Sequence, residues 1–196
     1  MAEVISTFEL KRGAMAPDFE LPEGGAKKKH SLEKLADKKE AVVVIFACNH
    51  CPYVVHLADY IGEFATEYSK KDVQFIAINA NDAAKYPDDA PDKMKAFAKE
   101  HEWKFPYLYD EEQVVAKSYS AACTPEFFVF NKDLELTYTG QFDNSRPGNS
   151  APITGADLRT ALESTLRSGK ADSLRMRPSS GCNIKWKKGN EPSYFG

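Results

Sequence analysis

The sequence predicts a three-layer α/β fold on a mixed central sheet, and three observations carry that expectation. Ala41 to Ala47 is a continuous β-branched apolar run, the pattern of a central strand covered on both faces. A helical period follows at once through Val54, Leu57, Ala58, Ile61, Phe64, Ala65 and Tyr68, to about Ser69, and a second strand follows at Val73 to Asn79. Later, Phe127 to Phe130, a turn at Asn131 to Leu134, and Glu135 to Gly140 read as an antiparallel hairpin. A parallel βαβ unit followed by ββα gives a mixed sheet with helices on both faces.

The remaining elements fit around that frame. Asp18 to Leu21 reads as a short strand, followed by a turn rich in Gly and Lys. Glu33 to Glu40 is a charged lead-in to the central strand. Pro52 suits a first helical turn, where no N–H is needed. Asp82 to Asp89 is polar, contains Pro87 and reads as a loop. Pro91 can open a helix with Met94, Phe97 and Ala98 inward, Pro106 to Tyr109 suggests a short strand, and Gln113 to Tyr119 a short helix. Thr154-Gly-Ala-Asp157 resembles a capping box for a helix carrying Leu158, Ala161, Leu162 and Leu166. Residues 1–168 are expected to form the domain. Residues 169–196 are expected to form a polar tail, packed on it through Ile184, Trp186, Tyr194 and Phe195.

Composition narrows the function. Among 196 residues, 29 acidic against 26 basic side chains leave a net charge of −3, which argues against a general nucleic-acid binder. The mean hydropathy is −0.50, and no apolar run approaches the roughly 20 residues needed to span a bilayer. Met1 to Phe19 lacks a basic segment followed by an apolar one, so a cytoplasmic protein is expected, a previously removed leader being the alternative. Four cysteines are too few for a disulfide scaffold; in a reducing compartment, closely spaced ones point to metal or redox chemistry.

Cys48-Asn-His-Cys51-Pro52 stands where the apolar strand meets the long helix. Unpaired N–H groups and the positive end of the macrodipole stabilise a thiolate there, the nucleophile of thiol–disulfide exchange. A second thiol two residues further on can resolve a mixed disulfide. His50, when protonated, would favour the thiolate further; its bland alternative is a solvated side chain without a tuning role. The competing reading is a zinc site formed by Cys48, Cys51, Cys123 and Cys182, against which the isolation of the last two counts. Thr124-Pro125 precedes a strand, where proline is tolerated. A cis bond would let the preceding backbone pair with an extended substrate; a trans turn is the ordinary alternative.

Together these residues resemble the thioredoxin superfamily over roughly Ala16 to Ser168. The match rests on Phe46-Ala-Cys-Asn-His-Cys-Pro52, on Thr124-Pro125 before a strand, and on the terminal hairpin and helix. More narrowly the chain is similar to the peroxiredoxin-like (AhpC/TSA-like, redoxin) branch that carries a CxxC. Ala16-Pro-Asp-Phe19, Cys123-Thr-Pro-Glu-Phe-Phe128, Gly140-Gln-Phe-Asp-Asn-Ser-Arg-Pro147 and Ser180-Gly-Cys-Asn-Ile-Lys-Trp186 support this. The resemblance implies a thioredoxin-like fold and a thiol–disulfide oxidoreductase acting on protein or small-molecule disulfides and thiols. It implies Cys48 as the exposed attacking thiol, Cys51 as the resolving one, and a cis Pro125. No metal or organic cofactor is required, and the reductant and oligomeric state are left open.

Several positions depart from the family patterns. If Cys51 is aligned with the peroxide-reducing cysteine of peroxiredoxins, Val44 stands in place of their proline, Cys48 in place of their threonine and Pro125 in place of their arginine. A thiol-dependent peroxidase is therefore the secondary reading. Val42 occupies the position of thioredoxin's buried acid, so the proton acceptor for the resolving thiol is not identified, and Ala47 replaces the usual tryptophan. Cys123 reads as either a third redox thiol or a small buried residue. Cys182 is expected to pair with Cys123 or with the active site, if it pairs at all. Arg146 is expected either to ion-pair with Asp143 or to bind a substrate anion.

Overall fold

A computed structural model describes residues 3–170 and 176–195. It contains strands β1 (Glu3–Ile5), β2 (Glu20–Pro22), β3 (Lys29–Ser31), β4 (Ala41–Phe46), β5 (Val73–Asn79), β6 (Tyr107–Tyr109), β7 (Cys123–Thr124), β8 (Glu126–Asn131), β9 (Leu136–Gly140) and β10 (Ser180–Asn183). The α-helices are α1 (Leu32–Ala36), α2 (Pro52–Ser69), α3 (Pro91–Glu100), α4 (Val114–Ser118) and α5 (Ala156–Ser168).

The central sheet has the order β6-β5-β4-β8-β9. β4 pairs parallel with β5, and β5 with β6, while β8 lies antiparallel to both β4 and β9. All six β4 residues are buried, because the sheet is covered on both faces. Val43 and Ile45 face a core shared with α2, α3 and α5; Val42, Val44 and Phe46 face a second core with Leu32, Val115, Ala116, Ile184 and Trp186. This alternation is the period of a strand, and it produces the three layers the sequence predicts.

Two features differ from the sequence expectation. The charged stretch before β4 contains α1, capped by the Ser31 side chain, which accepts from the Lys34 amide. Thr154 and Asp157 do not form a capping box. Gly155 is the N-cap of α5, with φ 63°, and the Asp157 carboxylate takes a bond from Gln141 Nε2 at 2.5 Å. The loop is held instead by the buried Asp143, which accepts the Ser145 amide at 2.8 Å, the Thr154 amide at 2.6 Å and the Gly155 amide at 2.7 Å. A carboxylate from another segment thus does what the local motif was expected to do.

A second sheet matters for the site. It has the order β1-β10-β7, all antiparallel, so the C-terminal segment contributes the central strand of three. Tyr194 packs against the second core, and Phe195 remains 43% exposed.

Removing the Asp143 carboxylate leaves three amides without their acceptor. Asp143→Ala should lower unfolding stability by about 2 kcal/mol, and Thr154→Ala by less than about 0.5 kcal/mol. Denaturant unfolding measures both; equal losses would contradict the assignment of the cap.

Candidate active site

β4 delivers the chain into Ala47 to Cys51, and α2 carries it away. Cys51 is the N-cap residue, with φ −69° and ψ 121°. Its carbonyl accepts the Val54 and Val55 amides, both at 2.9 Å, and no side chain caps the helix. Pro52 offers no N–H and the Val54 and Val55 amides bond the Cys51 carbonyl, so of the first turn it is the Val54 amide that also favours a Cys51 anion.

Asp89, on the loop before α3, is the anchor of this turn. It is fully buried. One carboxylate oxygen accepts the Asn49 amide at 2.9 Å and the His50 amide at 3.2 Å. The other lies 2.6 Å from His50 Nδ1 and accepts Asn81 Nδ2 at 2.7 Å. Asn79 Nδ2 donates to the Asp89 carbonyl at 2.9 Å, and Tyr107 Oη donates to Asn49 Oδ1 at 3.0 Å. Both residues between the cysteines are thus tied to β5, β6 and the loop that follows β5. Sequence reading treated Asp82 to Asp89 as a polar loop and gave Asp89 no role. Only an adjacent pair of acids next to Pro87 marked the place.

His50 is not a solvated bystander. Its side chain is 17% exposed, and its ring stacks on Tyr86 with centroids 5.7 Å apart. Its hydrogen bond to Asp89 raises its pKa, against partial desolvation. The imidazolium form is thereby favoured beside the two thiols.

Three of the four thiols converge. Cys48, Cys51 and Cys182 are buried in one cluster. Cys182 first, and Cys48 second, pull the Cys51 pKa well below the ordinary thiol range, helped by Thr124 and the Val54 amide and opposed by burial. Burial first, and donation to Cys51 second, push Cys48 up. Of the two CxxC thiols, Cys51 is the one pulled toward the anion and Cys48 the one pushed away from it. The expectation of an exposed Cys48 is not met: Cys48 is 1% exposed and Cys51 is fully buried. β10 is paired along the edge that leads to Pro125, with Cys182 opposite Thr124.

Thr124-Pro125 has a cis peptide bond. Thr124 Oγ1 lies 3.5 Å from Cys48 Sγ, and the Thr124 carbonyl is 3.2 Å from Cys51 Sγ, an acceptor for that thiol when protonated. The backbone expected to receive substrate is occupied here: Thr124 pairs with Cys182, and Cys123 with Asn183.

Cys123 does not join the other thiols. Neighbouring strand residues point to opposite faces. Thr124 faces Cys48, whereas Cys123 Sγ points to Glu126 at 3.9 Å. This separates Cys123 from Cys182 and breaks up the four-thiol arrangement that a zinc site would need. Among the described residues, Cys48, His50 and Asp89 offer ligand atoms within 4.8 Å of one another, a three-donor set. Arg146 makes no ion pair with the Asp143 carboxylate. Its guanidinium donates to the carbonyls of Asp143 and Ser145, both at 2.7 Å, and to Gln141 Oε1 at 2.5 Å. It also lines a small groove beside Pro125 with Tyr53, Phe127 and Ser180.

Glu126 is a second residue that sequence reading passed over. It is buried directly after Pro125 and accepts the Ala122 amide at 2.8 Å and the Cys123 amide at 3.4 Å. Desolvation raises its pKa from 4.5 to about 7. Its signal was present: a lone acid at the mouth of an apolar strand.

Comparison with known proteins agrees with this architecture. A family model described as Redoxin matches residues 11–158. A conserved, uncharacterized protein from Geobacillus kaustophilus shares 45% identity, with a TM-score of 0.90 over 95% of this chain and 97% of that one. A putative thiol:disulfide interchange protein DsbE from Chlorobium tepidum, 18% identical, superposes with a TM-score of 0.63 over 81% of this chain and 99% of that one. This second likeness speaks for the thioredoxin-like fold alone. The thiol-disulfide oxidoreductase ResA of Bacillus thuringiensis subsp. konkukian is 26% identical over 125 residues, 64% of this chain and 66% of that protein. The matched region thus spans just under two thirds of that curated relative.

Two pH effects follow from the buried acids. With Asp89 raising the His50 pKa above 6.5, the pair's stabilisation is complete below 6.5 and is lost as pH rises through the raised value. Asp89→Asn should bring the His50 midpoint down in an NMR titration; an unchanged midpoint would contradict the pairing. Glu126 is raised from 4.5 to about 7, so its own contribution to stability is greatest below 4.5 and falls by on the order of 3 kcal/mol as pH climbs to about 7. Glu126→Gln should flatten that part of the stability profile, and a retained slope would show that another group titrates there.

Proposed function

The chain belongs to the Redoxin family, and from that premise we propose that it is a thiol–disulfide oxidoreductase cycling Cys48 and Cys51 between dithiol and disulfide. The observation that carries this reading is a pair of buried thiols two residues apart at the start of α2, both set against Thr124, with Cys48 Sγ 3.5 Å from its hydroxyl and Cys51 Sγ 3.2 Å from its carbonyl.

In the reduced pair one proton is shared, and the charge rests on Cys51. Passing that proton from Cys48 to Cys51 creates the Cys48 thiolate. This attacks one sulfur of a substrate disulfide, the substrate S–S bond breaks, and the leaving thiolate takes the proton of Cys51. The Cys51 thiolate then attacks the Cys48 sulfur, and the second substrate thiolate leaves and is protonated by water. Two electrons have moved from the dithiol to the substrate, and the enzyme is left as the Cys48–Cys51 disulfide. His50, tied to Asp89, supplies positive charge beside the anion throughout. The groove beside Pro125 is the place for the substrate's flanking residues. Substrates are protein or small-molecule disulfides, and a thiol reductant in a reducing, cytoplasmic compartment closes the cycle. The peroxidase reading gains nothing from the geometry, since Val44, Cys48 and Pro125 stand where the peroxide-handling groups would be.

Cys48→Ser and Cys51→Ser should each lower disulfide-reductase turnover by at least about two orders of magnitude, because the second thiol's proximity is lost. An insulin or low-molecular-weight disulfide assay measures this. Activity unchanged in both variants would end the assignment.

A further inference from the structure

A strand edge such as that of β7 just before Pro125 can, when open, bind an extended chain through its backbone. In this protein the edge is filled by the protein's own β10, antiparallel, with Cys182 opposite Thr124. The fit is close. A Cβ on Gly181 would fall 2.1 Å from the Thr124 carbonyl oxygen and 2.8 Å from its carbon, so only glycine permits this approach. The register then sets the side chains. Thr124 and Cys182 share the face that looks onto the CxxC, and Cys182 is buried in the same cluster as Cys48 and Cys51. Cys182 is 4% exposed, so it is shielded together with them. On its outer side β10 is paired with β1, Cys182 lying opposite Glu3.

We propose that Cys182 is a third redox thiol: β10 takes the place of an extended substrate on the Thr124 edge, and Cys51 can form its disulfide with Cys182 instead of Cys48. This proposal rests on the thiol–disulfide reading given above. The step is an internal exchange. Once Cys48 and Cys51 are oxidised, the Cys182 thiol loses its proton and its sulfur attacks the Cys51 sulfur. The Cys51–Cys182 bond forms, the Cys48–Cys51 bond breaks, and Cys48 leaves as a thiolate and takes up the proton. No electrons enter or leave. The oxidised state would thus be stored under β10 while Cys48 becomes free again, and an external substrate would have to compete with β10 for the Thr124 edge.

The test uses the full chain. Reduced protein is oxidised with glutathione disulfide and quenched in acid; free thiols are alkylated and the disulfides mapped by peptide mass spectrometry. The expected result is a Cys51–Cys182 linkage beside the Cys48–Cys51 one, with a matching loss of alkylation at Cys182. In Cys48→Ser the Cys51–Cys182 linkage should become the main one, and in Cys182→Ser only Cys48–Cys51 should remain. If Cys182 stays fully alkylated in both wild type and Cys48→Ser while Cys48–Cys51 forms in the wild type, the third-thiol proposal is overturned and the oxidoreductase reading stands. If none of the three cysteines forms an internal disulfide in the wild type, both are overturned.

Discussion

A negative charge on a sulfur that water does not reach must be balanced, and at Cys51 the groups that favour it come from three parts of the chain. The helix start supplies the Val54 amide, the turn supplies Cys48, and the C-terminal strand supplies Cys182. Burial alone would drive the charge off the sulfur, as it does at Cys48 and Cys123. The fold can be understood as the means of bringing these groups to one point. The central sheet fixes β4 beside β8, which sets the CxxC turn against Thr124, and the small sheet then carries β10 over both.

The buried Asp89 makes the turn rigid. It holds the amides of both residues between the cysteines and the ring of His50, and it is held in turn by Asn81. A buried carboxylate without such partners would cost several kcal/mol. Here its charge is spread over two amides, a side-chain amide and an imidazole. The cysteines are thus placed by a polar network and the sheet by an apolar core, and the two meet at Phe46 and Ala47.

Much of the fold was legible in the sequence because its signals were periodic. The apolar run of β4, the helical repeat of α2 and the β8–β9 hairpin appear where the pattern places them. The CxxC and the Thr124-Pro125 pair were legible for a different reason: cysteine and proline have few other uses at such junctions. What escaped depended on long-range placement. Asp89 is 39 residues from His50. The turn into α5 is held by Asp143, 12 residues before Gly155. No local pattern announces either. Cys182 lies 131 positions after Cys51, and only the pairing of β10 with β7 shows which of the other cysteines it meets.

The account's central claim concerns where the charge sits, and ultraviolet titration of thiolate absorbance in the reduced protein tests it most directly. One thiolate should be present well below the ordinary thiol range, should vanish in Cys51→Ser, and should persist in Cys48→Ser. A thiolate that forms only in the ordinary range, or one that disappears with Cys48 and survives the loss of Cys51, would contradict it.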